Sequence, residues 1–374
     1  MDAPILPNQS IFAGFTSFSN IRKSRLPMLF ARIRFAFLAV AILAAGSPPA
    51  SWGADVITEF QIPGENYYPL AITPASDNLI WFIEFNPNKL ANLNPETKVV
   101  TEFPIPSENS HAMDITEDPR GNFWLAEQDV NAIAKFDPRK KTFKEYLLPN
   151  RDTNPISIYA SRNGDLWILG WNNDILIRFK PDEEKFEEYA IPTKKSSSFD
   201  LTEDRHGNIW FVERGGNKIA MFNPEKKKFR EWTVSETMQS VLGTVIDSKG
   251  YVWFLQMVDN RMTRFDPATG KSEMHDLPKN KGTQEMAIDK KDVIWLVQST
   301  ENRVIRFDTK TADILLFDLP TGESKPNSIG VDKKGRVWFT ESGNMKLGMI
   351  DTARLVGDVK KMKVKLKNTE KIFR

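Results

Sequence analysis

Apolar positions along the chain fall into short runs separated by polar, turn-forming residues, and one run type recurs with almost no variation in spacing. It is a strand-length apolar segment built on tryptophan: Leu79-Ile80-Trp81-Phe82, Phe123-Trp124-Leu125, Leu166-Trp167-Ile168, Ile209-Trp210-Phe211, Val252-Trp253-Phe254, Ile294-Trp295-Leu296 and Val337-Trp338-Phe339. The tryptophans are 43, 43, 43, 43, 42 and 43 residues apart. Ahead of most of them lies a turn of Asp, charged residues and Gly, such as Asp118-Pro119-Arg120-Gly121-Asn122 or Asp332-Lys333-Lys334-Gly335, where glycine supplies the positive φ of a tight hairpin. Another apolar strand precedes the turn. A third follows the tryptophan (Lys218-Ile219-Ala220-Met221-Phe222) and closes on Asn-Pro or Asp-Pro. A fourth reads Glu-aromatic-x-aliphatic-Pro, as at Glu59 to Pro63 and Glu102 to Pro106, and a proline at its end suits an outer, edge strand.

Four short antiparallel strands in each repeat of about 43 residues describe a β-propeller blade. The parallel β-helix, the main rival, has shorter repeats. The predicted fold class is therefore all-β, a seven-bladed β-propeller of four-stranded antiparallel blades over residues 55–351. Closure follows from the strand count. The first fourth-type strand (Ile57 to Pro63) precedes any tryptophan strand, and the last repeat ends at Asp351 without one. The last blade should thus be closed by the N-terminal strand.

The two ends read differently. Residues 1–54 form an upstream segment plus signal peptide. Phe35 to Ala45 is an uninterrupted apolar run of 11 residues, preceded by Arg32 and Arg34 and followed by small residues and prolines. That is a secretory h-region with its flanks, too short for a comfortable membrane span. Met28 stands where such a leader would begin, with cleavage between Gly46 and Ala54. Residues 352–374 form a basic C-terminal tail that either touches an anionic surface or is solvated. The expected location is periplasmic or secreted, as a monomer with no integral membrane span after signal cleavage.

Length alone, 374 residues, suggests two or three domains, but the repeats absorb it into one ring. No cysteine is present, which excludes disulfide scaffolds, thiolate zinc sites and cysteine nucleophiles. The net charge of +2 conceals an asymmetry: residues 1–54 carry +4 and residues 352–374 carry +6, leaving 38 basic and 46 acidic residues between them. An acidic body with basic ends argues against nucleic acid as a partner. No phosphate loop, serine elbow or dinucleotide fingerprint occurs, so no organic cofactor is indicated.

The runs Trp338-Phe339-Thr340-Glu341 with Asn344 to Gly348, Trp81 to Glu84 with Asn88-Lys89-Leu90, and Trp210 to Glu213 with Asn217-Lys218-Ile219 resemble the blade signature of the virginiamycin B lyase (streptogramin lyase) family. So do the Thr-Glu-Phe-x-Ile-Pro strands at 58–63 and 101–106. The resemblance spans all seven blades. It implies a propeller that opens a cyclic depsipeptide by elimination across its ester bond, assisted by Mg²⁺. Such chemistry needs a base for the proton α to a carbonyl and a cation or acid for the departing carboxylate. In the family these come from Pro-His pairs at the inner-strand entries of the last two blades and from nearby glutamates. The entry positions here are Leu70, Met113, Ile156, Phe199, Leu242, Gln284 and Asn327, so the last two blades carry amides. Lys325 stands where the family has a glutamate, while Glu341 keeps an acidic strand end.

The end of the second strand lies beside the start of the first in an antiparallel hairpin. Glu84, Glu127, Gly170, Glu213, Gln256, Gln298 and Glu341, each three residues past its tryptophan, are therefore expected to ring the same mouth. Glu84, Glu127, Glu213 and Glu341 are the candidate metal ligands, with oxygen donors suited to Mg²⁺ or Ca²⁺; otherwise they bond to loop backbone or water. Gln284, Asn327, Gln256 and Gln298 are candidate ligand contacts, as is Trp171, which follows the Gly170 position and could stack on a ligand. His111 and Glu341 are the catalytic candidates, His111 as the histidine nearest the predicted mouth. His206 fills a hairpin turn and should be exposed, His275 replaces an aromatic in a fourth strand, and the seven blade tryptophans are core.

Two function classes stay open. One is an exported streptogramin-lyase-like enzyme, a carbon–oxygen lyase acting with a divalent cation on an ester or cyclic depsipeptide at the central mouth. The other is a non-catalytic propeller that binds a small molecule, peptide or protein on the same face.

Overall fold

The computed structural model describes residues 56–65, 67–234, 240–278 and 282–357. The expected leader and upstream segment, and the tail from residue 358 onward, lie outside the described residues; Thr352–Gly357 form a short 3-10 helix. The described strands form seven four-stranded antiparallel sheets, each built from consecutive strands except one. In that one, the inner, second and third strands (Pro326–Val331, Val337–Glu341, Lys346–Ile350) take the N-terminal strand Ile57–Gln61 as their outermost member. Ile57 pairs with Ile350 and Gln61 with Lys346, so the ring closes as the strand count requires.

The four layers of a blade differ in burial for a simple reason. The second strand lies in the middle of the ring wall, and each of the seven is buried along nearly its whole length. Outer strands alternate between half-buried and exposed, as in Thr142–Leu147. Each core cluster forms where two blades face each other. Trp81 of blade 1, for example, packs with Phe123 and Phe136 of blade 2, its ring 4.2 Å from that of Phe123. The N-terminal strand serves two such interfaces: Ile57 joins the cluster between blades 6 and 7, and Phe60 the one between blades 7 and 1.

The repeating turn aspartate has a double role. Asp118 accepts the backbone N–H groups of Arg120 and Asn122 and also the indole N–H of Trp124, at 2.9 Å. Asp204, Asp247, Asp289 and Asp332 hold Trp210, Trp253, Trp295 and Trp338 in the same way. One residue thus shapes the hairpin and satisfies the only polar atom of a buried ring. Blade 3 has Ser161 at this position, and there the guanidinium of Arg178 lies over the Trp167 ring at 5.7 Å.

Candidate functional site

Every inner strand carries a register shift near its start, for instance between Ala112 and Asp114 and between Phe199 and Leu201. Just ahead of the strand, thirteen residues before each tryptophan, the backbone turns left-handed at His111 (φ 47°), Asn154, Ser197, Ser240, Gly282 and Lys325 (φ 48°). Tyr68 occupies the same place in blade 1. These residues and the loops after the second strands make the mouth.

The mouth is most elaborated across blades 7, 1 and 2. The Nδ1 of His111 lies 2.6 Å from the Asp129 carboxylate, and the imidazole stacks on Phe85 at 4.6 Å with the planes 13° apart. Phe85 meets Tyr68 edge-on at 6.4 Å. The Tyr68 hydroxyl bonds to Ser342, whose own hydroxyl donates to the Pro69 carbonyl at 2.5 Å. Burial pushes the Tyr68 phenol above its ordinary range, so it stays neutral. Half-buried and held by Asp129, His111 keeps its other ring nitrogen, Nε2, for a ligand. A histidine oriented by a carboxylate is the arrangement a general base needs.

The strand-end ring is placed differently from expectation. Glu84, Glu127, Glu213 and Glu341 do sit opposite the inner-strand starts, facing Pro69, Ala112, Ser198 and Pro326. Their side chains, however, are wholly buried rather than open to the mouth. They point into their own blades, and a Cβ on Gly348 would collide with Phe339 and crowd the Glu341 carboxylate. None of the four carboxylates accepts a well-formed hydrogen bond among the described residues, although the hydroxyls of Ser110, Thr193 and Ser324 stand beside Glu127, Glu213 and Glu341. Burial raises all four, Glu84 and Glu127 to about 8 and Glu213 and Glu341 to about 7. Gln256 and Gln298 are equally buried.

Asn327 is half-buried and donates to the Leu70 carbonyl at 3.2 Å, bridging blades 7 and 1. The side chain of Gln284 lies outside the described residues. Trp171 is 39% exposed, and its backbone N–H donates to the carbonyl of Asn154 beside the mouth. His206 is exposed on its turn, and His275 is buried against Trp253 in a fourth strand.

The divalent cation implied by the resemblance finds no matching donor set. The four glutamates are separated one to a blade, and Lys325, a cation, holds the place of a family acid. Among the described residues no three of His, Asp or Glu come together in a way that could hold a metal ion. These residues do not fit a metal at the mouth.

The inner strands carry a second set of acids that the apolar periodicity does not single out. Asp114, Asp200 and Glu285, each ten residues before its tryptophan, lie on the inner strands of blades 2, 4 and 6. Aligning the repeats on tryptophan would have exposed them, because the other four blades carry Ala71, Ser157, Gly243 and Ser328 at that position.

The virginiamycin B lyase family model matches residues 53–254 and 225–371. Among solved structures, a streptogramin B lyase is 26% identical, with a TM-score of 0.73 over 79% of this chain and 97% of that one. The virginiamycin B lyase of Staphylococcus aureus is 22% identical, with a TM-score of 0.73 over 78% of this chain and 98% of that one, a likeness that shows the fold alone. A catalytically inactive variant of that enzyme has been solved with quinupristin. An extracellular domain from B. thetaiotaomicron shares the fold at 17% identity and a TM-score of 0.62, over 80% of this chain and 43% of that one. No curated protein sequence matches the chain. No helix among the described residues is long and apolar enough to cross a membrane.

Proposed function

Because the chain belongs to the virginiamycin B lyase family, we propose that it is an exported carbon–oxygen lyase that opens an ester at the propeller mouth, with His111 as the base. The observation that carries this reading is the 2.6 Å contact between His111 Nδ1 and Asp129. His111 takes the proton α to the substrate carbonyl on Nε2. The freed electron pair forms a carbon–carbon double bond, the alkyl carbon–oxygen bond breaks, and the oxygen leaves as a carboxylate. Asp129 steadies the imidazolium formed in that step. Lys325 stands exposed at the same repeat position as His111, in blade 7, and offers positive charge to the departing carboxylate. Export rests on the Phe35–Ala45 run and its arginine flanks. A substrate with an ester inside a peptide ring suits the family resemblance.

A non-catalytic, ligand-binding propeller is the second reading. It is favoured by Asn327, an amide spent on the Leu70 carbonyl where the family has a histidine.

Incubation with quinupristin, followed by chromatography and mass spectrometry, separates the two readings. Elimination yields a linear isomer of unchanged mass with a new carbon–carbon double bond, whereas hydrolysis would add a water. The isomer is expected with wild-type protein, with or without EDTA, and not with His111→Ala. Saturable binding without any linear product would favour the binding reading, and loss of turnover in EDTA would sink the metal-free mechanism.

A further inference from the structure

The fourteen inner and second strands contain nine carboxyl groups and not one lysine or arginine. Three of the nine, Asp114, Asp200 and Glu285, are half-buried on the inner wall of the ring, and they alternate with small residues from blade to blade. Each reaches across to the next blade. Asp114 accepts the Ile158 N–H at 2.8 Å, and Asp200 accepts the Gly243 N–H at 2.7 Å. Glu285 bonds to the Ser328 hydroxyl and the Ile329 N–H. Ser328 in turn accepts the Ile72 N–H at 3.1 Å and joins blade 7 to blade 1. Asp200 holds its place at φ 50°, and Gly243, which receives it, at φ 66°. That is unusual backbone for an aspartate, kept by the contact it makes.

We propose that Asp114, Asp200 and Glu285 form a protonation-sensitive belt that latches the even-numbered blades to their odd-numbered neighbours, so that the firmness of the inner ring depends on how many of the three carry a proton. The belt stands independently of the lyase reading. Among the described residues of the inner and second strands, no cation offsets the charge. Tyr159, on the facing strand of blade 3, is pushed up to about 12, chiefly by burial, and stays neutral. Glu117 is engaged by Ser76 and Glu203 by Arg162, both at the far ends of their strands. Glu127 and Glu213, on the paired second strands, bring no cation either. The three also act on one another: burial and then Asp114 raise Asp200, while burial followed by both aspartates raises Glu285.

Asp114 is pushed up to about 6 and Asp200 to about 7, with Glu285 well above the carboxylate range. The folded ring therefore keeps protons that the unfolded chain has already released. The belt's contribution is complete only below about pH 4, where the unfolded carboxyls are protonated too, and it is lost as pH rises from there through about 6 for Asp114 and about 7 for Asp200.

The test is the melting temperature of the whole protein across pH, for wild type and the Asp114→Asn, Asp200→Asn, Glu285→Gln triple variant. The amides keep an acceptor oxygen but cannot ionise. The two proteins should melt closest together near pH 4 and separate by several degrees near pH 8, wild type lower. A separation that does not change with pH, or that runs the other way, overturns the belt. Should the variant fail to fold, ¹³C-labelled aspartate in the wild type decides. Two carboxyl resonances titrating above about pH 5.5 support the proposal, and all titrating below about 4.5 overturn it.

Discussion

Blades 2 and 7 are built on the same repeat, yet they put opposite chemistry at the mouth. At the left-handed position before the inner strand, blade 2 has His111 and blade 7 has Lys325, with nearly identical backbone. One loop later blade 2 has Asp129, which holds the histidine, while Ser342 of blade 7 is spent on Pro69. The family resemblance directs attention to blade 7, where the amide of Asn327 cannot take a proton. The geometry directs it to blade 2. A repeat protein can place a base in any blade, because every blade offers the same turn.

The largest expected effect tests this contrast directly. His111→Ala should lower turnover of a cyclic ester by about 10²–10⁴-fold without changing the melting temperature much, since the side chain sits at the mouth and not in the core. Lys325→Ala should cost clearly less, and Asn327→Ala should act through the blade 7–blade 1 contact. Turnover that survives at His111→Ala but vanishes at Asn327→Ala would return the chemistry to blade 7.

Asp129→Asn comes next. It should cost about ten- to hundredfold in turnover, because a carboxylate that orients a histidine works through position and tautomer. The telling readout is the split between kcat and KM: with the carboxylate gone, kcat should fall while KM stays near the wild-type value. Both constants unchanged from wild type would reduce Asp129 to a surface partner.

These contrasts also show what the sequence could and could not convey. The seven blades and their closure were legible because Trp81 to Trp338 occupy one core position, and burial in the middle of the wall tolerates little else. The burial of the strand-end glutamates was not legible, because periodicity says which strand end a residue occupies and not how deeply its side chain sits. Glu341 shares a face with Phe339 over Gly348, a relation that exists only once the third strand has paired. The partnership of His111 with Asp129 was hidden for a similar reason. The two residues are separated by a complete hairpin and meet through loop geometry that neither residue type announces.

Burial gives a third way to sharpen the comparison. Replacing Glu127 or Glu341 with glutamine should raise the melting temperature above neutral pH by a few degrees and leave it nearly unchanged near pH 4. The sign follows from the raised carboxyls. Each keeps its proton to higher pH when folded, so the native protein loses stability from about pH 4, where the unfolded carboxyl ionises, until the folded group has ionised as well, at about 7 for Glu341 and about 8 for Glu127. The two benefits should therefore set in together, and that of Glu341→Gln should level off about one pH unit earlier. Coincident plateaus would mean that the two sites feel the same field.

The smallest effect asks why those two plateaus differ. Glu341 and Glu213 each have a nearby hydroxyl (Ser324, Thr193) and a lysine on the third strand (Lys346, Lys218), and both lie at about 7. Glu84 has Lys89 but no such hydroxyl, Glu127 has Ser110 but no lysine, and both lie at about 8. The third-strand lysine bonds an outer glutamate in each blade that has one, as Lys346 does Glu59 at 2.7 Å and Lys218 does Glu231 at 2.7 Å. Blade 2 has Ala132 there, opposite Glu127, with Glu145 bonded instead to Ser107. Ala132→Lys should therefore complete the set: the new ammonium has Glu145 to meet and a cation's pull to exert on Glu127. The midpoint read from labelled Glu127 should then fall from about 8 toward about 7. A midpoint that stays in place while the lysine is accepted would show that burial alone sets these carboxyls and that the blade-to-blade difference has another origin.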